Sequence, residues 1–334
     1  MTRRTAATGV LAVALLAGCA AAPPTAQEVG NPPAPAAPAV TGFPVTVDNC
    51  GTEVTVAAPP QRVVAIKSSA IEMLLALGLG DRVVGTGFPD GPAPEDLAVA
   101  AAALPVLSDQ VPSAEVVLET EPDLVYAGWE SSFSAEGAGE RAALADLGVA
   151  TYVSPSACKE PAYQPDRLTF EEVFAEVTEV ARLLGVPEAA EELVATQQEV
   201  LDGVEPDDRG LTALWYSSGT DVPYVGAGIG APQMLMDAAG LTNVAAEVQD
   251  TWTSFGWEQV VADDPDVIVL VDSAWNTAEH KRELLASNPA TANLDAVRHE
   301  RYVVLPFAST EAGVRNVHAV AEVVRQLQTL DVTG

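Results

Sequence analysis

Basic residues are scarce in this 334-residue chain. Lys and Arg number 16 against 47 Asp and Glu, a formal net charge of −31. A surface of that sign repels nucleic acid and anionic lipid and excludes both as partners over most of the molecule, but it leaves room for a local positive pocket. Histidine occurs only as His280, His299 and His318, none at ligand spacing from another, which argues against a histidine-built metal site. No Gly-x-Ser-x-Gly elbow, no His-Glu-x-x-His and no His beside a candidate Ser or Cys nucleophile is present, so no enzyme motif is legible. The 25 Pro and 25 Gly follow no collagen-like period. What the chain does have is 48% apolar residues, enough for one large core or two modest ones.

Arg3 and Arg4 precede an apolar run over 6–17, too short to span a bilayer and of the length of a signal-peptide core. The run ends in Leu16-Ala17-Gly18-Cys19, which resembles the bacterial lipoprotein box. That resemblance implies cleavage before Cys19, lipid on its thiol and new amine, and a site on the extracytoplasmic face of the cell membrane. An ordinary secretory signal with a chance Cys is the competing reading. The next stretch, to Gly42, holds six prolines and no hydrophobic period, so it reads as an extended tether reaching about 3.1 Å per residue. Signal peptide 1–18 and tether 19–42 therefore precede the folded part. With Cys19 assigned to lipid, Cys50 and Cys158 remain as an even pair in an oxidising compartment, which predicts a Cys50–Cys158 disulfide; two buried thiols are the alternative.

From Phe43 onward, apolar strands alternate with helices. Strands are expected at 45–47 and 53–56 as a hairpin, then at 62–66, 82–86, 123–127 and 151–153. Helices are expected at 69–77, 113–120 and 140–147. The order recurs with strands at 211–215, 267–271 and 302–305 and helices at 232–239 and 257–262. Continuous apolar strands separated by helices predict an α/β fold with mainly parallel sheets flanked by helices. Between the halves, Thr169-x-x-Glu172 is a capping box and Pro187 opens a further helix to about 204. The layout reads as an N-terminal lobe 43–186, a connecting helix 187–204 and a C-terminal lobe 205–334, hinging only slightly.

The sharpest internal echo pairs Glu115-Val-Val-Leu-Glu-Thr-Glu-Pro122-Asp with Glu258-Gln-Val-Val-Ala-Asp-Asp-Pro265-Asp. Together with Arg62-Val-Val-Ala-Ile, Leu77-Gly-Leu-Gly-Asp-Arg-Val-Val-Gly85 and the lipoprotein box, it makes the chain resemble the helix-linked substrate-binding proteins of iron-siderophore and cobalamin ABC importers. More narrowly, five stretches resemble the actinobacterial branch proposed to import the coenzyme F(420) precursor F(420)-0: Thr46-Val-Asp-Asn-Cys-Gly, Tyr126-Ala-Gly-Trp-Glu, Ser156-Ala-Cys-Lys-Glu-Pro, Leu214-Trp-Tyr-Ser-Ser and Tyr224-Val-Gly-Ala-Gly-Ile-Gly. The resemblance implies a monomeric binding protein rather than an enzyme, with no cofactor. Its partners would be a small-molecule ligand and a permease dimer with a cytoplasmic ATPase. It also implies that Glu115 and Glu258 dock on permease arginines; the competing role is that each merely favours its helix N-terminus.

Ligands of open parallel sheets bind beyond the carboxyl ends of strands. Those positions hold Lys67, Ser68, Ser69, Trp129, Glu130, Lys159, Tyr216, Ser217 and Trp275. The three lysines of the chain, Lys67, Lys159 and Lys281, fall at or near this rim, and Arg315 follows in Glu311-Ala-Gly-Val-Arg315. They predict an anionic ligand, unless each pairs with a neighbouring acid. Trp129, Trp252, Trp275 and Tyr224 offer faces for a flat ring, with Trp215 and Trp257 assigned to the core. A deazaflavin with a phosphate and a carboxylate satisfies both features, and a catecholate siderophore could use the same groups. Haem would call on an axial Tyr216 or Tyr224. The glycines of 226–230 either turn the backbone N–H groups toward an anion or form a tight turn.

Overall fold

The computed structural model describes residues 41–332, so the signal, lipid and tether assignments on 1–40, including Cys19, lie outside the described residues. The described chain opens with a hairpin, β1 (Val45–Asn49) against β2 (Thr52–Val56), turned by Cys50 and Gly51 at positive φ.

Next come β3 (Val63–Ile66), α1 (Ser68–Ala76), β4 (Val83–Gly87), α2 (Ala98–Ala102), β5 (Val106–Ser108) and α3 (Ala114–Glu119). They continue into β6 (Leu124–Ala127), α4 (Arg141–Asp146) and β7 (Ala150–Val153). The five strands form one wholly parallel sheet in the order β5-β4-β3-β6-β7. Because successive side chains leave a strand on opposite faces, Val63 and Ala65 of β3 enter one core, and Val64 and Ile66 enter the other. That is why these strands read as unbroken apolar runs.

Two long helices follow. Thr169 and Glu172 form the full capping box of α5 (Phe170–Leu184), and Gly185 closes that helix in the left-handed conformation at φ 71°. Pro187 occupies the first turn of α6 (Pro187–Asp202), which packs on α5 and later on the C-terminal helix.

The second sheet contains β8 (Thr212–Ser218), β9 (Tyr224–Gly226), β10 (Thr242–Asn243), β11 (Trp252–Ser254), β12 (Val267–Asp272) and β13 (Tyr302–Pro306). Its path is β11-β9-β8-β12-β13. The short β10 runs parallel to the start of β8, and β9 runs antiparallel to its end. Helices α7 (Ala231–Ala239), α8 (Trp257–Asp263), α9 (Ala278–Ser287), α10 (Asp295–Arg298) and α11 (Asn316–Leu327) flank it. Val267, Val269 and Val271 of β12 face one core, Ile268 and Leu270 the other, repeating the two-sided burial.

The α/β class with parallel sheets matches the sequence reading. Strands β5, β9, β10 and β11 and helices α2, α10 and α11 were not anticipated. The strands are two or three residues long, too short to display a period.

One buried carboxyl stands out in the first core. Glu176 of α5 accepts a hydrogen bond from Tyr126 Oη at 2.8 Å, and beside it Tyr152 Oη donates to Glu179 at 2.7 Å. Burial pushes the Glu176 carboxyl from 4.5 to about 7, against the pull of Ser154 and Tyr126. A raised carboxyl favours the folded state while it is protonated. Its contribution is therefore complete below about pH 4.5 and is lost as pH rises through about 7, a swing on the order of 3 kcal/mol. Urea denaturation between pH 5 and 8 should show wild type losing stability relative to Glu176→Gln, and parallel pH profiles would refute the assignment.

Candidate functional site

The carboxyl ends of strands from both sheets open onto one crevice of about 460 Å³. Trp129 and Glu130 follow β6; Ser156 and Lys159 follow β7. Ser217 ends β8, Tyr224 begins β9, and Phe307 and Glu311 follow β13. Its volume lies within the range usual for small-molecule sites. A larger cavity of about 960 Å³ lies along α6 and the start of α11, walled mainly by Pro, Ala, Leu and Val side chains, and there the strand-end polar groups do not converge. The smaller crevice is the better candidate because rings and hydrogen-bonding groups meet in it.

Rings dominate the crevice. Tyr224 and Trp252 lie nearly parallel, with centroids 6.1 Å apart and an interplanar angle of 14°. Trp275 is 66% exposed and meets Phe307 edge-on at 6.0 Å; Phe307 in turn meets Trp129 at 6.4 Å. Gly128, just before Trp129, lets the backbone pass close to α1, since a Cβ there would lie 2.2 Å from Ser69 Oγ.

The cations depart from the sequence reading. Lys67 is 1% exposed, at φ 82°, ion-paired with Asp90, with its ammonium 3.6 Å from the Trp129 ring centroid, 4.4 Å from Phe88 and 5.1 Å from Phe307. It therefore supports the crevice wall rather than facing a ligand. Ser68 is likewise buried: its Oγ accepts the Asp90 N–H at 2.8 Å. Ser69 packs half-buried against Gly128, off the crevice lining. Arg315 makes a two-pronged ion pair with Glu72 of α1, donates to the Pro92 carbonyl at 2.9 Å and lines the larger cavity instead. Lys281 is buried, donating to the Val271 and Asn276 carbonyls, and burial lowers it to about 8. Lys159 is exposed at the crevice; its backbone N–H donates to Glu130 at 2.6 Å, and its ammonium enters no ion pair among the described residues.

Tyr216 also departs from expectation. Its hydroxyl donates to the Gly219 carbonyl at 2.6 Å and its ring packs edge-on against Trp257, inside the core. Trp215 and Trp257 are buried. The glycine-rich 226–230 segment is a packed turn: the N–H groups of Ala227, Gly228 and Ile229 donate to the carbonyls of Thr251, Val248 and Asp250, so these three do not face an anion. Cys50 and Cys158 are joined as a disulfide. Glu115 and Glu258 are exposed in the first turns of α3 and α8, which lead into β6 and β12. These strands flank β3 and β8 alike, so the two carboxylates hold matching places in the two sheets.

Two groups were missed by the sequence reading. Glu311, whose carboxyl burial pushes up against the pull of Lys67, accepts the Trp129 indole N–H at 2.8 Å from across the crevice. Asp90 neutralises Lys67. Glu311 lay in the same short motif as Arg315, but nothing in the spacing marks a bond to a residue 182 positions away.

The arrangement defines a class: a two-sheet α/β binding protein whose crevice lies at facing strand ends. The chain belongs to the periplasmic binding protein family, whose model matches residues 63–308. It is 28% identical, over 95% of its length and 94% of the relative's, to an uncharacterized ABC transporter substrate-binding lipoprotein, YvrC, of Bacillus subtilis (strain 168). Among solved structures it resembles a periplasmic binding protein from Veillonella parvula (TM-score 0.76, 25% identity, covering 86% of this chain and 98% of that one). It also resembles an ABC-type Fe3+-hydroxamate transport system protein from Saccharomonospora viridis (TM-score 0.73, 26% identity, covering 85% and 99%). Its homologues are substrate-binding proteins of ABC transporters and not enzymes.

The Glu72–Arg315 pair links the first sheet's α1 to the segment before α11, and its side chains are only 3% and 11% exposed. Burial raises the Glu72 carboxyl and Arg315 pulls it back down. Arg315→Met should destabilise the fold by about 3–5 kcal/mol in urea denaturation, because it strands a buried charge, whereas adding Glu72→Met should recover most of the loss.

Proposed function

We propose that this protein is the extracytoplasmic solute-binding component of an ABC importer, held to the membrane through lipid on Cys19. The lobes 43–186 and 205–334, joined by the helix 187–204, enclose a flat ligand. They present it to a permease dimer driven by a cytoplasmic ATPase, with Glu115 and Glu258 as the docking carboxylates. The observation that carries the ligand class is the set of ring faces at the crevice, the parallel Tyr224–Trp252 pair with the exposed Trp275. Lys159 is the ammonium open to an anionic substituent, and Glu130 and Ser217 offer hydrogen bonds beside it. Among such ligands the sequence resemblance favours the deazaflavin precursor F(420)-0.

A second reading is a ferric siderophore. The Saccharomonospora viridis relative is described as part of an Fe3+-hydroxamate transport system, and a neutral ferric hydroxamate needs no more cation than this crevice offers. Among the described residues no three His, Cys, Asp or Glu side chains converge on a metal site, so iron would have to arrive already chelated. Haem ligation by Tyr216 would require drawing that side chain out of the core, which leaves Tyr224 as the tyrosine at the crevice.

Purification from a native lysate followed by absorption spectroscopy should return a deazaflavin spectrum; an iron–hydroxamate or haem band would transfer the assignment to that ligand. Trp252→Ala should weaken F(420)-0 binding about tenfold, read by tryptophan quenching. Glu115→Arg and Glu258→Arg should each abolish uptake in cells with ligand affinity unchanged, and a loss of affinity instead would overturn the docking role.

A further inference from the structure

The segment 155–165 forms the crevice wall that carries Lys159, yet it has little secondary structure of its own. It consists of two single 3-10 turns, Pro155–Ala157 and Pro161–Tyr163. On one side lies the crevice. On the other is a second cavity of about 370 Å³, lined by Ser156, Ala162, Gln164 and Glu176, so the segment has no packed floor. Its covalent tie is Cys158, which is 4% exposed and sits between the crevice-lining Ala157 and Lys159.

The other end of that tie is firmly held. Asn49, next to Cys50, exchanges two hydrogen bonds of 2.8 Å with the backbone of Val153. Arg141 donates to the Asn49 carbonyl at 2.8 Å and to its side-chain oxygen at 2.9 Å. The disulfide thus transmits the rigidity of the hairpin and the end of β7 to a segment that lacks its own. The remaining ties are non-covalent: Glu130 to the Lys159 N–H, Tyr163 Oη to Asp48 at 2.9 Å, and, within the segment, the Gln164 side chain to the Cys158 carbonyl at 3.2 Å.

We infer that Cys50 and Cys158 are positioning residues of the ligand site: their disulfide holds the Lys159 ammonium at the crevice, and its reduction releases that wall while the two sheets stay folded. The inference rests on the crevice being the ligand site. In the reduction, a dithiol attacks one sulfur, the S–S bond breaks, two cysteine thiols form, and the dithiol is oxidised to its own disulfide.

The test compares oxidised protein, dithiothreitol-reduced protein and Cys50→Ser/Cys158→Ser, each with and without Lys159→Gln, using F(420)-0 as the probe. Reduction and the Ser variant should weaken binding about tenfold. Lys159→Gln should do the same in oxidised protein and add little once the disulfide is gone, because both changes remove one contact. Hydrogen exchange should accelerate across 155–165 and stay slow in β3, β6, β8 and β12. Additive losses, unchanged affinity with an accelerated wall, or global unfolding on reduction would each overturn the inference while leaving the ligand reading intact. If F(420)-0 does not bind the oxidised protein, that ligand assignment falls, and the exchange pattern decides the inference: acceleration confined to the wall supports it, and an unchanged wall overturns it.

Discussion

A parallel strand covered on both faces has nowhere to carry polar chemistry except its ends. In β3 and β12 every alternate side chain enters one core and the rest enter the other, so neither strand offers a face for recognition. Polar and aromatic groups are therefore concentrated at the strand ends and in the segments that follow, where Trp129, Lys159, Ser217 and Phe307 stand. Two such sheets with facing strand ends make a crevice as a consequence of their construction. The helices entering each sheet begin at that same end, which is why Glu115 and Glu258 are surface groups rather than core ones.

Charge is the second constraint. Of the four cations expected at the crevice, three are engaged by other groups of the protein. Lys67 is tied to Asp90 and enclosed by three rings; Arg315 is tied to Glu72; Lys281 is bound to backbone carbonyls. The crevice lining is left with flat ring surfaces, the carboxyl groups of Glu130 and Glu311, and one open ammonium, Lys159. Two contacts cross between the parts, Trp129 to Glu311 and Arg315 to Glu72. A ring-lined crevice of this kind suits a flat ligand.

Much of this was legible in the chain itself. The capping box at Thr169 and Glu172, the stop at Gly185 and the start at Pro187 place the two central helices almost to the residue, because capping depends on neighbours a few positions apart. The repeated Glu and Pro-Asp motif marks matching elements of the two sheets, and strand ends point to Trp129, Glu130, Lys159, Ser217 and Trp275 as crevice residues. Strands β9 to β11 escaped notice because each is too short to carry a pattern.

The sequence by itself determined the fold class, the order of the elements and which strand ends meet solvent, since hydrophobic period and local capping are properties of neighbouring residues. Only the tertiary structure decided which charges are spent. Whether Lys67 or Arg315 faces a ligand depends on Asp90 and Glu72, and the second of these pairs joins residues 243 positions apart. Tyr216 was drawn into the core by a carbonyl and the Trp257 ring, and Glu311 became a bridge through Trp129. Pairings of this sort are set by packing between distant segments, where the energy of burying a charge exceeds anything a local pattern records.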